Sequence, residues 1–281
     1  MSTLRRLAPA LLAAAPLAAF SPAAQAQASL LPPAAGVTYA DLADLADSAP
    51  LVVQARIRKI VPIEDSRAPG LQPGKSRFYV QAETLALITG RTPIGESFAY
   101  LVDLPLDANG KPPFRKKDGV LLFARPVPGR SGELQLVQPS AQVPWSEATE
   151  ARVRGIVTAL LAPDAPGEVT GVRELIHVPG TLAGEGETQI FLNTADSSAA
   201  SITVRHYQDR PSEWGVSFSE LVADVGRPPQ RESLEWYRLA CFLPQDPPVG
   251  ANLSETLEAR RMAEADYRMV MNALGPCRRT R

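Results

Sequence analysis

Polar and apolar positions change period several times along the chain, and each change marks an element. From Thr38 to Ser48, Tyr39, Leu42, Leu45 and Ala46 recur at helical spacing, with Thr38 placed to cap and Asp41 to complete a capping box. Period two follows from Leu51 to Val61, where Val53, Ala55 and Ile57 face one way and Gln54, Arg56 and Arg58 the other. Further strands are predicted at Phe78, Val80 and Ala82, from Phe98 to Leu104, and from Glu133 to Val137. The nearly unbroken apolar run Val120–Ala124 reads as a strand buried on both faces. A polar Pro/Gly loop (Glu64–Lys75) and the turn Asp107-Ala108-Asn109-Gly110 connect them. Five strands with one flanking helix predict a small antiparallel β-barrel-like module over 29–145, because closing a sheet removes its exposed edges.

The period returns to helical at Ser146–Ala162, where Ser146 caps and Val153, Ile156, Val157, Leu160 and Leu161 line one side. Pro163-Asp164-Ala165-Pro166-Gly167 ends this helix, so 146–168 reads as a helix and linker. In the region 169–281, Val172, Glu174, Ile176 and Val178 alternate with Arg173, Leu175 and His177. Strands at Thr188–Thr194, Ser201–Tyr207 and Trp214–Phe218 then predict an antiparallel meander. Two helices follow, Arg231–Cys241 and Ser254–Leu274, the second stopped by Gly275 and Pro276. The fold class expected is α+β.

The order Tyr39-Ala40-Asp41-Leu42-Ala43, Ala49-Pro50-Leu51-Val52-Val53-Gln54-Ala55, then Gly119-Val120-Leu121-Leu122-Phe123 resembles netrin-like and inhibitor-type OB barrels. In that group a helix precedes the first strand and a glycine introduces a late buried one. The resemblance implies a barrel and carries over no functional residue. The stretches Gly184-Glu185-Gly186-Glu187-Thr188-Gln189-Ile190-Phe191-Leu192, Trp236-Tyr237-Arg238-Leu239-Ala240-Cys241 and Leu274-Gly275-Pro276-Cys277 are similar to uncharacterised secreted proteins of sphingomonad-type alphaproteobacteria. That resemblance implies export and lends no activity.

Composition narrows the function. At 281 residues, 45% hydrophobic and 21% charged, with neither a glycine period nor heptads, the chain is not collagen-like, coiled-coil or disordered. A formal charge of −1 argues against a nucleic-acid binder, which carries a basic excess. Residues 1–28 read as a signal peptide: Arg5 and Arg6, then the apolar run Leu7–Phe20, then Ala24-Gln25-Ala26 or Ala26-Gln27-Ala28 as the cleavage site. The run is too short for a transmembrane span, which takes roughly 20 residues. The expected location is periplasmic or extracellular, with an unidentified envelope protein or ligand as partner.

Candidate chemistry is sparse. Cys241 and Cys277, at the ends of the last two helices of an exported chain, are expected to form a disulfide. The two histidines, His177 and His206, lie on predicted strands, His206 sharing a face with Ile202 and Val204. No G-x-S-x-G, S-x-x-K or H-E-x-x-H is present, and two dispersed histidines fall short of the three or four ligands a zinc site needs. The Gly-rich loop Pro179–Glu187 carries Glu185 and Glu187 and lacks the Lys-Ser/Thr of a phosphate loop. Trp145, Trp214 and Trp236 read as core, and Arg278-Arg279-Thr280-Arg281 as a solvated basic tail. No catalytic, cofactor or metal residue is assigned, and the reading is a non-catalytic envelope binding or interaction protein. The alternative is a hydrolase using His177 or His206 with Glu185 or Glu187.

Overall fold

Helix α1 (Tyr39–Ser48) begins at the expected capping box: Thr38 Oγ1 accepts from the Asp41 backbone N–H, and Asp41 Oδ2 accepts from that of Thr38. The structure is a computed structural model that describes residues 36–219 and 225–281, so the expected export segment 1–28 lies outside the described residues. Val37–Arg281 packs as one unit.

Six strands make the first sheet: β1 (Leu51–Pro62), β2 (Lys75–Thr89), β3 (Ser97–Pro105), β4 (Gly119–Pro126), β5 (Leu134–Leu136) and β6 (Gln142–Pro144). Their order is β3-β2-β1-β4-β5, with β6 also on β4, all antiparallel. Val120, Leu121, Leu122, Phe123 and Ala124 of β4 are all fully buried, as an apolar run without alternation requires. Each such side chain contributes about 1.5–3 kcal/mol by leaving water.

The expected barrel is not closed. β3 meets the residues just before β5 at an isolated bridge, Ala99↔Glu133, supported by Ala99 N–H donating to Gly132 O at 2.8 Å. β5 is only three residues long, too short to zip along nine-residue β3. The sheet therefore curls like a barrel and stops at an open seam.

After α2 (Glu147–Leu160), capped by Ser146, the loop expected as a linker leads to the second sheet. Strands β7 (Val169–Pro179), β8 (Gly186–Thr194), β9 (Ser201–His206) and β10 (Glu213–Ser217) form the expected antiparallel meander, β10-β9-β8-β7. Helices α3 (Leu234–Ala240) and α4 (Leu257–Leu274) follow, capped by Ser233 and Thr256. The C-cap Gly275 has φ 68°, a left-handed conformation that favours glycine. Buried side chains from both sheets and all four helices join one apolar cluster.

One expectation about β7 fails. Pairing with β8 is irregular between Val169 and Gly171 and again between Val172 and Glu174. A bulge inserts a residue and reverses which face later side chains take. Val172 before it and Leu175 and His177 beyond it are buried while Val178 is 60% exposed, so Val172 and Val178 do not share a face as the unbroken alternation expects.

Candidate functional site

The bulge in β7 turns His177 inward, where it lies directly across from Thr188 of β8. His206 ends β9 on the far side of β8, paired with Gly186. Helix α4 crosses this sheet and lowers Asp266 between them. The chain's two histidines thus meet, their ring centroids 5.8 Å apart, over one buried carboxylate.

The hydrogen bonds have a direction. Thr188 Oγ1 donates to Asp266 Oδ2, so its single proton is committed, and His177 Nδ1, 2.8 Å from the Thr188 hydroxyl oxygen, donates to that oxygen. His206 Nε2 donates to Asp266 Oδ2 at 2.9 Å. In the neutral ring Nδ1 is then an acceptor, and Ser212 Oγ donates to it at 2.8 Å. Ser212, His206 and Asp266 thereby form a hydroxyl–imidazole–carboxylate chain. The His177 backbone N–H donates to Ser254 Oγ at 3.0 Å, fixing the strand against the start of α4.

Burial pushes the His177 pKa below its ordinary value; Asp266 pulls it up, and His206 adds to the lowering. Asp266 ion-pairs, among the described residues, with the two imidazoles alone. Gly186 makes room for this arrangement, since a Cβ there would stand 2.8 Å from His177 Cε1 and 2.9 Å from Nε2.

A pocket of about 360 Å³ reaches both histidines. The loop Gly180–Glu185 and the first turn of α4, with Thr256, Glu258 and Met262, complete its wall. Of the acids expected beside a histidine, Glu185 lines this pocket, whereas Glu187 pairs with Arg205 at 2.8 Å. The carboxylate that joins the histidines is Asp266, at least 60 residues further along the chain. Its only sequence signal is an acid on the apolar side of an amphipathic helix, among Ala263, Tyr267 and Val270. The histidines treated as dispersed are corrected to a pair. With Asp266 they present three donor atoms, all within 4.8 Å of one another, a set suited to a metal ion.

A larger cavity, about 640 Å³, opens at the seam between β3 and β5. Its wall combines Tyr79, Leu101, Leu134 and Leu136 with Arg77, Arg125, Arg130, Asp103 and Glu133. Arg77 is held bidentate by Asp103 and Arg130 bonds Glu133 at 3.2 Å. No side-chain partner meets Arg125 among the described residues.

Cys241 and Cys277 are bonded as expected. Of the tryptophans expected in the core, Trp236 is buried and its Nε1 donates to the Leu274 carbonyl, whereas Trp145 is 40% exposed and its Nε1 donates to Glu150 in α2. The basic tail is exposed, as expected, but it is also tied to the body of the fold. Arg279 pairs with Asp44, Thr280 donates to Asp41 through both its N–H and its hydroxyl, and Arg281 donates to the Gln142 carbonyl. Among the described residues no helix is long and apolar enough to cross a membrane. No protein-family model matches the chain, and no curated protein matches it.

Proposed function

We propose that the protein is exported and acts in the cell envelope as a non-catalytic binding protein, taking a small amphipathic anion in the cavity at the seam of its first sheet. The cavity carries the proposal: about 640 Å³ lies within the roughly 300–1,000 Å³ of small-molecule sites. Arg77 and Arg130 are neutralised by acids, which leaves the Arg125 guanidinium as the free charge, beside the half-exposed Tyr79 and Leu101. A carboxylate head on Arg125 with an apolar body along the wall satisfies both chemistries. The signal-like pattern at 1–28 and the disulfide support export into an oxidising compartment. Membership of a sphingomonad-type secreted family and kinship with netrin-like barrels belong to the same proposal.

Titration calorimetry with dodecanoate and with dodecyltrimethylammonium, both below their micelle concentrations, tests it. Saturable binding of the anion alone, weakened by Arg125→Glu, is the expected result. Binding that ignores the sign of the head group sinks the assignment.

A second reading rests on the Ser212–His206–Asp266 chain. His206 Nδ1 would take the Ser212 proton as the hydroxyl oxygen adds to an acyl carbon and the carbonyl π pair moves to its oxygen; collapse would break the bond to the leaving group, which takes that proton back, with Asp266 steadying the imidazolium between. A fluorophosphonate probe decides this reading by labelling Ser212 in the wild type and failing to label His206→Gln.

A further inference from the structure

We infer that His177, His206 and Asp266 form a binding site for a divalent first-row transition-metal ion, with its remaining coordination positions open to the adjoining pocket. Three independent features converge on it.

The first is spacing. His206 Nε2 and His177 Nδ1 lie 2.9 and 3.9 Å from Asp266 Oδ2, and one donor from each residue falls within 4.8 Å of the others. A point equidistant from corners so placed is at most about 2.4 Å from each, against the roughly 2.0–2.2 Å of zinc–nitrogen and zinc–oxygen bonds. A contraction of a few tenths of an ångström closes the set. Two imidazoles and one carboxylate suit zinc, iron, cobalt or nickel rather than magnesium or calcium, which take oxygen donors.

Charge is the second. Asp266 is buried, yet among the described residues neither lysine nor arginine pairs with it. A desolvated carboxylate calls for a compensating cation. The pocket wall contains Glu185 and Glu258 and neither lysine nor arginine, so its field draws cations in and turns anions away. The ligand class is therefore opposite in sign to that proposed for the seam cavity.

The surroundings are the third. When His206 Nε2 ligates, Nδ1 carries the proton and donates it to Ser212 Oγ, already 2.8 Å away. Such an outer partner commonly orients a ligating histidine. Thr188 Oγ1 holds Asp266 Oδ2 and gives up its contact with His177 Nδ1 to the ion. β7, β9 and α4 each bring one ligand, and the pocket of about 360 Å³ leaves space for water or a small ligand in the open position.

The test is cobalt(II) titration of the EDTA-treated full chain with its disulfide intact, read by visible absorption, with zinc(II) calorimetry in parallel. Expected are one equivalent bound, a ligand-field spectrum of nitrogen and oxygen donors, displacement by zinc, and indifference to excess magnesium. His206→Gln, on the most exposed of the three ligands, is expected to lower affinity about tenfold or more, as is Asp266→Asn if it folds. Arg125→Glu, which tests the seam cavity, is expected to leave cobalt binding unchanged, so either proposal can fall alone. Absence of stoichiometric binding by the folded wild type overturns the inference, as does wild-type affinity in a folded His206→Gln.

Discussion

Replacing both Cys241 and Cys277 by serine isolates what the disulfide does. The cross-link joins residues 36 apart, tying the end of α3 to the residues that follow α4. In the chain-entropy account, closing a loop of that length removes about 4 kcal/mol of freedom from the unfolded state. At about 2.1 cal/mol/K per residue, the unfolding entropy of a unit the size of Val37–Arg281 is roughly 0.5 kcal/mol/K, so the melting temperature should fall by about 8 °C. The loss has a local signature as well. Arg279, Thr280 and Arg281 reach Asp41, Asp44 and the Gln142 carbonyl from a segment anchored at Cys277. Scanning calorimetry of the double variant, and of the wild type with and without reductant, measures the global effect; amide exchange at Thr280 reads the local one. A melting-temperature change of less than about 2 °C would falsify the entropic reasoning.

Asp41 gives a pH dependence. Burial works to raise its pKa, but hydrogen bonds from Thr280 and Thr38 outweigh it and hold the carboxyl below its ordinary 3.8. Its stabilisation is then fully present above that ordinary value and is lost as the pH falls through the lowered folded one; melts of wild type and Asp41→Asn should differ at pH 6 and converge in strong acid. Gly186→Ala forces a Cβ against the His177 ring and should cost about 1–3 kcal/mol in urea unfolding. Equal stability of that variant would show that the two strands can part freely. Tyr237→Phe removes the hydroxyl that donates to Asp44 Oδ1 at 2.6 Å and should cost about 1 kcal/mol in the same assay, since Arg279 still holds that carboxylate.

Local rules made the elements readable. The capping box at Thr38, the cap at Ser146, the Gly275 stop and the two-sided burial of β4 each follow from a few neighbouring residues, and each stands where expected. β6 escaped notice because Gln142–Pro144 is too short to show a period and gains its place by pairing with β4. Barrel closure is not legible in local pattern because it depends on β3 and β5 pairing along their length, a contact between strands distant in sequence. The histidine–aspartate centre was illegible for two reasons. The irregular pairing of β7, which sets the inward face of His177, leaves no mark in the period-two pattern, and Asp266 lies three strands and a helix beyond β7 in sequence. Charge in the seam cavity was hidden in the same way, since only the fold shows that, among the described residues, Arg77 and Arg130 are matched by acids and Arg125 is not.

The irregular pairing of β7 also sets how the strand tolerates change in length. The shift between Val172 and Glu174, the second of two, puts the residues beyond it out of phase with those before it, like a change of reading frame. Deleting a single residue between Val172 and Glu174 would cancel the shift and turn the buried Leu175 and His177 to solvent together. An indel of the same size among Thr181–Gly184 would be absorbed by the loop and leave every strand in phase. Related chains that keep a histidine at this place are therefore expected to vary in the loop and hold constant the residue count from Val172 to His177.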